Sequence, residues 1–230
     1  MLYLIATPIG NLGDISLRAL ETLKSVDVIA AEDTRHSLIL LRRYEIEKPL
    51  LSYHQHNEAM RTAELVQRLK DGANVGVITD AGMPSISDPG HRLLTACIEQ
   101  NIPYTVIPGA SSVLTALVGS GFSAERFIFC GFLPTKSGQR EREVLAAGHR
   151  SETSIFFESP FRLVKTLELF RKHFPTRALC VARELTKQFE EFRIGNGAEL
   201  VAHYTKHPPK GEICLLVQAL TKQEIREQQE

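Results

Sequence analysis

The chain has 230 residues, 43% of them apolar and 23% charged, with 27 basic and 27 acidic side chains. That length buries a sizeable core in one large or two small domains. A net charge of zero gives no support to a general nucleic-acid binder. No apolar run approaches the roughly 18 residues of a membrane span. The N-terminus "MLYLIATPIG" lacks a basic n-region and reads as a first strand, so a cytoplasmic location is expected. Cys97, Cys130, Cys180 and Cys214 form no CxxC pair, so buried reduced thiols are expected and no metal site. Acids outnumber bases by 13 to 10 over residues 1–120, and bases outnumber acids by 17 to 14 after them. An anionic partner would therefore favour the second half.

In chain order, "LYLIA" (2–6) predicts a strand and residues 16–25 a helix with Leu17, Leu20 and Leu23 on one face. Residues 26–31 predict a strand, 36–44 a short helix and 49–53 a strand. Residues 57–72 predict a helix with Asn57 as cap, Met60, Ala63, Val66 and Leu69 or Lys70 at helical spacing, and Gly72 as stop. A strand at 74–79, a helix at 89–101 capped by Asp88 or its turn, a strand at 104–107 and a Gly-bounded helix follow. This alternation implies an α/β fold with a largely parallel sheet covered on both faces. Residues 119–127 read as a linker, giving domains over 1–115 and 123–220. The second begins with "FIFCGFL" and a basic polar loop "PTKSGQRERE". It continues with strands at 154–158, 178–184, 189–195 and 211–219 and helices at 161–174 and 196–204. The tail 221–230 is charged and is expected to fray.

Three loops share one character. "TPIGN" (7–11) follows the first strand, "DAGMPSISDPG" (80–90) the fourth and "PGASS" (108–112) the fifth. Ligands of open α/β sheets bind beyond the carboxyl ends of strands, and glycine lets backbone approach them. Neither G-x-G-x-x-G nor G-x-x-x-x-G-K-[ST] is present, which disfavours dinucleotide and P-loop readings. Loops of backbone and small hydroxyls suit a neutral or zwitterionic nucleoside-like ligand.

The motifs "TPIGNLGDISLRALETLKSVDVIAAEDTRHS", "HQHNE", "TDAGMPSISDPG", "PGASS", "ESPFR", "ARELTKQFEE" and "KGEI" occur in the order found in the tetrapyrrole-methylase-like superfamily. Over residues 1–218 the chain resembles the branch of that superfamily that methylates small-subunit ribosomal RNA. "EDTRHS" and "RELTKQFEE" are particular to that branch. The resemblance implies two α/β domains with S-adenosylmethionine in the cleft between them, and a homodimer. It implies methyl transfer to the ribose 2′-hydroxyl of a cytidine in the decoding region of 16S rRNA. Many relatives carry a further C-terminal helical extension, and this chain stops at residue 230 without one.

The resemblance also implies site residues. Asp80, Ala81, Gly82, Met83 and Asp88 would meet the cofactor, with Ser111 and Ser112 at a helix start and Pro8 and Ile9 lining the cleft. Phe157, Leu185 and the turn from Pro209 to Gly211 match regions that enclose the adenine. Arg35 is suited to hold a phosphate, and His36 to do the same or stack on a base. His54 and His56 share one face of an extended segment. With no convincing third ligand, RNA contact or a hydrogen-bond cluster with Asn57 and Glu58 is favoured over metal. Lys136, Arg140 and Arg142 offer charge to an RNA backbone, as does Arg183.

Attack of a 2′-hydroxyl on a sulfonium methyl gains much of its rate from orienting two bound reactants. The hydroxyl still needs a base or a cation. Glu158, Glu184, His56 and Lys187 are candidates for the base, and Arg35, Arg162 and Lys187 for positioning the RNA. Two alternatives stay open: a tetrapyrrole-precursor C-methyltransferase, and a non-catalytic RNA- or nucleotide-binding module.

Overall fold

In the computed structural model, residues 1–221 and 224 are described, and the chain divides into two units, Met1–Ser111 and the residues from Ser112 onward. Apart from Thr221 and Glu224, the expected fraying tail lies outside the described residues. Among the described residues no helix is long and apolar enough to cross a membrane.

The first unit is built from β1 (Leu2–Ile5), α1 (Leu17–Ser25), β2 (Val28–Ala31), α2 (Thr34–Arg43), β3 (Leu50–Ser52), α3 (Glu58–Lys70), β4 (Val75–Ile78), α4 (His91–Glu99) and β5 (Tyr104–Ile107). Its sheet has the order β3-β2-β4-β1-β5, and every pairing is parallel. The strands read as near-continuous apolar runs because both faces are covered. Side chains alternate between two cores. Leu2, Leu4, Val28, Ala30, Val75 and Val77 pack with Leu65, Leu69, Leu93 and Cys97 of α3 and α4. Ile5, Ile29, Ala31 and Ile78 pack on the other face with Ala19, Leu23 and Leu41 of α1 and α2. Each fully buried Leu or Ile contributes about 1.5–3 kcal/mol of transfer free energy.

Two helices are rotated from the expected phase. α1 buries Ala19, Thr22 and Leu23 and leaves Leu17 exposed, while α3 buries Thr62, Leu65, Val66 and Leu69 and leaves Met60 exposed. Small Ala and Thr side chains supply part of each buried face, so a count of large apolar residues finds the helix but misplaces its seam.

The second unit contains α5 (Ser112–Ser120), β6 (Phe127–Phe132), α6 (Ser137–Gly148), β7 (Thr153–Glu158), α7 (Leu163–His173), β8 (Leu179–Arg183), β9 (Glu191–Gly195), α8 (Gly197–Lys206) and β10 (Ile213–Val217). The sheet order is β6-β7-β10-β8-β9, with β6 parallel to β7 and all other pairings antiparallel. Val144, Leu167, Phe170, Leu200 and Tyr204 of α6, α7 and α8 cover one face with Phe156, Val181 and Leu215. α5 packs on β10, β8 and β9, and the Cys214 thiol donates to the Ser112 carbonyl at 3.8 Å. Gly119 is required there, because a Cβ would collide with the Phe192 ring. α5 thus belongs with the second unit, and the division at 111/112 precedes the linker-like residues 119–127.

Most of the expected basic loop is helical. α6 starts at Ser137, and Arg140 is buried against the unit instead of offered to solvent. Only four of its twelve positions are buried, two of them Arg140 and Gly148, so no apolar stripe announced it. α8 carries a full capping box: Asn196 accepts from the Ala198 and Glu199 amides, and Glu199 accepts from the Asn196 amide.

Candidate active site

All five strands of the first sheet end on one edge, and β4, β1 and β5 are neighbours there. The three Gly- and Pro-rich loops therefore sit side by side, which the sequence could not order. α1 leaves β1 toward one face and α4 leaves β4 toward the other. Adjacent strands whose chains part to opposite faces form a topological switch point, the usual ligand crevice of an open sheet.

The loops are stitched at that point. Thr7 and Gly82 exchange both backbone hydrogen bonds, at 2.9 and 3.1 Å, and the Thr7 hydroxyl donates to the Thr79 carbonyl at 3.0 Å. Gly82 has φ +82°, and a Cβ there would lie 3.3 Å from Ile9 Cγ2. Ser85 and Ser87 also hold positive φ, at +72° and +64°. Such backbone costs about 1–3 kcal/mol per residue and persists where the surroundings over-determine it. The Ser85 and Thr79 hydroxyl oxygens are buried without a hydrogen-bond partner. A loop that holds Gly82, Ser85 and Ser87 at positive φ beside an open-sheet switch point keeps a fixed backbone path for a ligand.

The sequence-derived candidates of this unit fall into three groups. Asp80, Ala81 and Met83 are half-buried on the central loop, whereas Pro8 and Ile9 are buried beneath it. Asp80 accepts from the Asp33 amide at 3.1 Å, and Glu32 accepts from the Asp80 amide at 3.4 Å, which ties the ends of β2 and β4. Burial pushes the Glu32 carboxyl above its ordinary range; the Asp80 amide opposes this and the Asp80 carboxylate adds to it. Asp88 does not cap α4, whose N-cap is Gly90. Ser111 ends the first unit and Ser112 opens α5.

Arg35 is exposed and turned onto Asp33, at 3.2 Å, and that pairing holds Asp33 below the usual carboxylate range. His36 is exposed beside it. His54 and His56 stand edge to face, 5.8 Å between ring centroids. Asn57 is the N-cap residue of α3, as expected, but its side chain makes no capping bond: its carbonyl oxygen accepts from the His54 amide at 2.9 Å, and its amide nitrogen donates to the Ser52 carbonyl at 3.1 Å. Among the described residues no three His, Cys, Asp or Glu side chains are grouped to hold a metal.

In the second unit the ends of β7 and β8 lie on one edge. Glu158, Ile213, Arg183 and Glu191 form a cross-strand row there. Glu158 is fully buried and its carboxylate is occupied. It accepts from Arg162 Nη2 at 2.8 Å, the Ser159 amide at 2.7 Å and Thr166 Oγ1 at 2.6 Å. Arg162 also donates to the Leu133 carbonyl at 3.1 Å. Both partners are thus committed to holding the turn after β7.

Glu184 and Lys187 are similarly locked. Glu184 accepts from Lys187 at 3.0 Å and from the Glu212 amide at 3.1 Å, and Lys187 also reaches Glu212 at 2.8 Å. Burial alone would lower Lys187, but its bonds to Glu212 and Glu184 outweigh it and raise the ammonium above its ordinary range. Gly211 has φ +81°, and a Cβ there would have to displace the Glu184 carboxylate. This clasp joins the turn at Pro209–Gly211 to the loop after β8.

Arg183 donates to Glu191 at 2.6 Å, and Leu185 is buried. Phe157 is half-buried in an aromatic cluster, 4.9 Å from Phe129 and 5.3 Å from Phe132. Lys136, the residue before α6, is exposed. Among the cysteines, burial pushes the Cys180 and Cys214 thiols up to about 12, so both are inert in the folded chain.

This fold and switch-point site define the class. The family model for tetrapyrrole (corrin/porphyrin) methylases matches residues 1–201, and the chain belongs to that family. It is a methyltransferase with S-adenosylmethionine as methyl donor. Relatives at 42–46% identity carry the name ribosomal RNA small subunit methyltransferase I. The Synechocystis relative is 46% identical over 97% of this chain and 81% of its own length. The Bacillus subtilis relative is 42% identical over 100% and 79%. The Thermotoga maritima relative is 43% identical over 94% and 97%. Among solved structures, uroporphyrin-III C-methyltransferase from Thermus thermophilus superposes with a TM-score of 0.65 at 21% identity, covering 94% of this chain and 93% of that one. Diphthine synthase superposes with a TM-score of 0.74 at 15% identity, covering 98% and 94%. At such identities the two structures share the fold, and their named reactions are their own.

Proposed function

We propose that this chain transfers a methyl group from S-adenosylmethionine to the ribose 2′-hydroxyl of a cytidine in the decoding region of 16S rRNA. It acts as a cytoplasmic homodimer on RNA within the small ribosomal subunit. The observation that carries the reading is identity of 42–46% to small-subunit rRNA methyltransferases over nearly the whole chain. The stitched loops of β1 and β4 support a small polar cofactor at the first sheet's edge. Asp80, Ala81, Gly82 and Met83 would hold it there, with Ser111 and Ser112 at the start of α5.

The bound cofactor supplies an electrophilic methyl on a sulfonium that departs as a neutral thioether. The chain's own residues must then orient the acceptor and receive one proton. Glu158, Glu184 and Lys187 are each engaged in the loop clasps described above. Among the described residues none hydrogen-bonds the His56 ring, which is exposed, so we assign it as the proton acceptor. Arg35 and His36 offer an exposed cation and ring to the RNA.

The test is incubation with methyl-labelled cofactor and small subunits lacking the decoding-region ribose methyl. Label on one cytidine ribose supports the reading. Label on a porphyrinoid and none on any subunit would replace it with tetrapyrrole C-methylation.

A further inference from the structure

Of the phenylalanines the second unit exposes, Phe127 (40%) and Phe132 (61%) lie on β6, where Phe132 packs on Phe157, and two more stand on turns beyond the strands. Phe161 is 92% exposed, three residues past the end of β7, and Phe189 is 65% exposed, two residues before β9. Both lie beyond the same cross-strand row, Glu158–Ile213–Arg183–Glu191. β7 and β9 are three strand spacings apart, about 14 Å across the edge. With Phe132 at the end of β6, three exposed rings stand along this one edge, a clustering that marks an interaction surface.

Their mounts are rigid. The Phe161 amide is held by the Ser159 hydroxyl at 3.3 Å, inside the turn that Glu158 and Arg162 anchor. The loop before Phe189 is fixed by the Thr186 amide donating to Glu190 at 2.6 Å and by the Lys187–Glu184 clasp. The acids of this edge are turned onto loop amides or cations, as Glu158, Glu184 and Glu190 show. Lys136 and Lys210 on the same edge are exposed and enter no ion pair with a described residue. Exposed rings beside exposed cations match a single strand of nucleic acid: bases stack on aromatic faces while lysines meet the backbone.

We infer that Phe161 and Phe189 form a base-stacking platform for unpaired nucleotides of the RNA acceptor, with Lys136 and Lys210 at its phosphates. This rests on the RNA-methylating reading above, and deepens it by naming where substrate is gripped.

Two measurements test it on the full chain. The first is the KM for small subunits in the methyl-transfer assay, for Phe161→Ala, Phe189→Ala and the rescues Phe161→Tyr and Phe189→Trp. Each alanine variant should raise KM about 5- to 150-fold, the range that one base stacked on an aromatic ring gives. The aromatic variants should restore it, and cofactor affinity should stay at the wild-type value throughout. The second is fluorescence of a single-stranded oligoribonucleotide carrying 2-aminopurine beside the target cytidine. Wild type should quench it, and the alanine variants should not.

Unchanged KM and unchanged quenching in both alanine variants would overturn the platform while leaving methyl transfer intact. Loss of dimer in light scattering with unchanged quenching would overturn it in favour of a contact between copies of this chain. Phe-dependent quenching by a wild type that methylates no RNA would uphold the platform and defeat the functional reading instead.

Discussion

Replacing Glu158 by alanine removes one carboxylate and strands three donors. Arg162 loses its counter-charge at 2.8 Å, and the Ser159 amide and Thr166 hydroxyl lose acceptors at 2.7 and 2.6 Å. Breaking a buried ion pair by deleting one partner costs about 3–5 kcal/mol. Arg162 is 20% exposed and keeps the Leu133 carbonyl, which favours the low end. Thr166 is fully buried, and its orphaned hydroxyl adds about 1 kcal/mol or more. The expected loss is therefore about 4 kcal/mol. At a slope of about 2 kcal/mol per molar urea, the second unit's unfolding midpoint falls by about 2 M. The assay is urea unfolding followed by circular dichroism, with Thr166→Val as a milder control near 1–2 kcal/mol. A double-mutant cycle with Arg162→Ala should show coupling of at least about 1 kcal/mol. If Glu158→Ala unfolds within about 0.3 M of wild type and yet abolishes methyl transfer, the structural assignment fails and Glu158 returns as the general base.

Three further outcomes follow from the same geometry. Gly82→Ala places a Cβ 3.3 Å from Ile9 at φ +82°, and should weaken cofactor binding at least about ten-fold by calorimetry, at about 1–2 kcal/mol of strain. His56→Ala should lower kcat about 10²-fold or more with cofactor affinity unchanged; full activity at all pH values would remove His56 as proton acceptor. Burial alone would raise Glu191, but Arg183 and Arg193 outweigh it and hold its carboxyl below the usual range. A folded value below the unfolded one stabilises above the ordinary carboxylate range and is lost as pH falls through the folded value. Urea midpoints of the second unit should therefore drop on acidification below about pH 4, and less steeply in Arg193→Gln.

The sequence by itself determined the alternation of strands and helices, the three Gly- and Pro-rich loops and the ordered motifs. Each is a local signal: apolar periodicity, Gly and Pro at turns, and residue types in fixed spacing. It did not determine that β4, β1 and β5 are neighbours, because strand order is set by crossovers packing on both faces of the sheet. It missed most of α6, where Arg140 and Gly148 occupy buried positions that an apolar count passes over. It misplaced the seams of α1 and α3, where Ala and Thr share the buried face with Leu.

Charge state and exposure were likewise tertiary. "ESPFR" and "RELTKQ" displayed Glu158, Glu184 and Lys187 as chemical groups. Only folding brought Thr166, Glu212 and the loop amides to them and consumed their lone pairs and protons. The same folding left Phe161 and Phe189 outside the core. A phenylalanine in a one-dimensional string reads as core, because its exposure is decided by which sheet edge and which turn carry it.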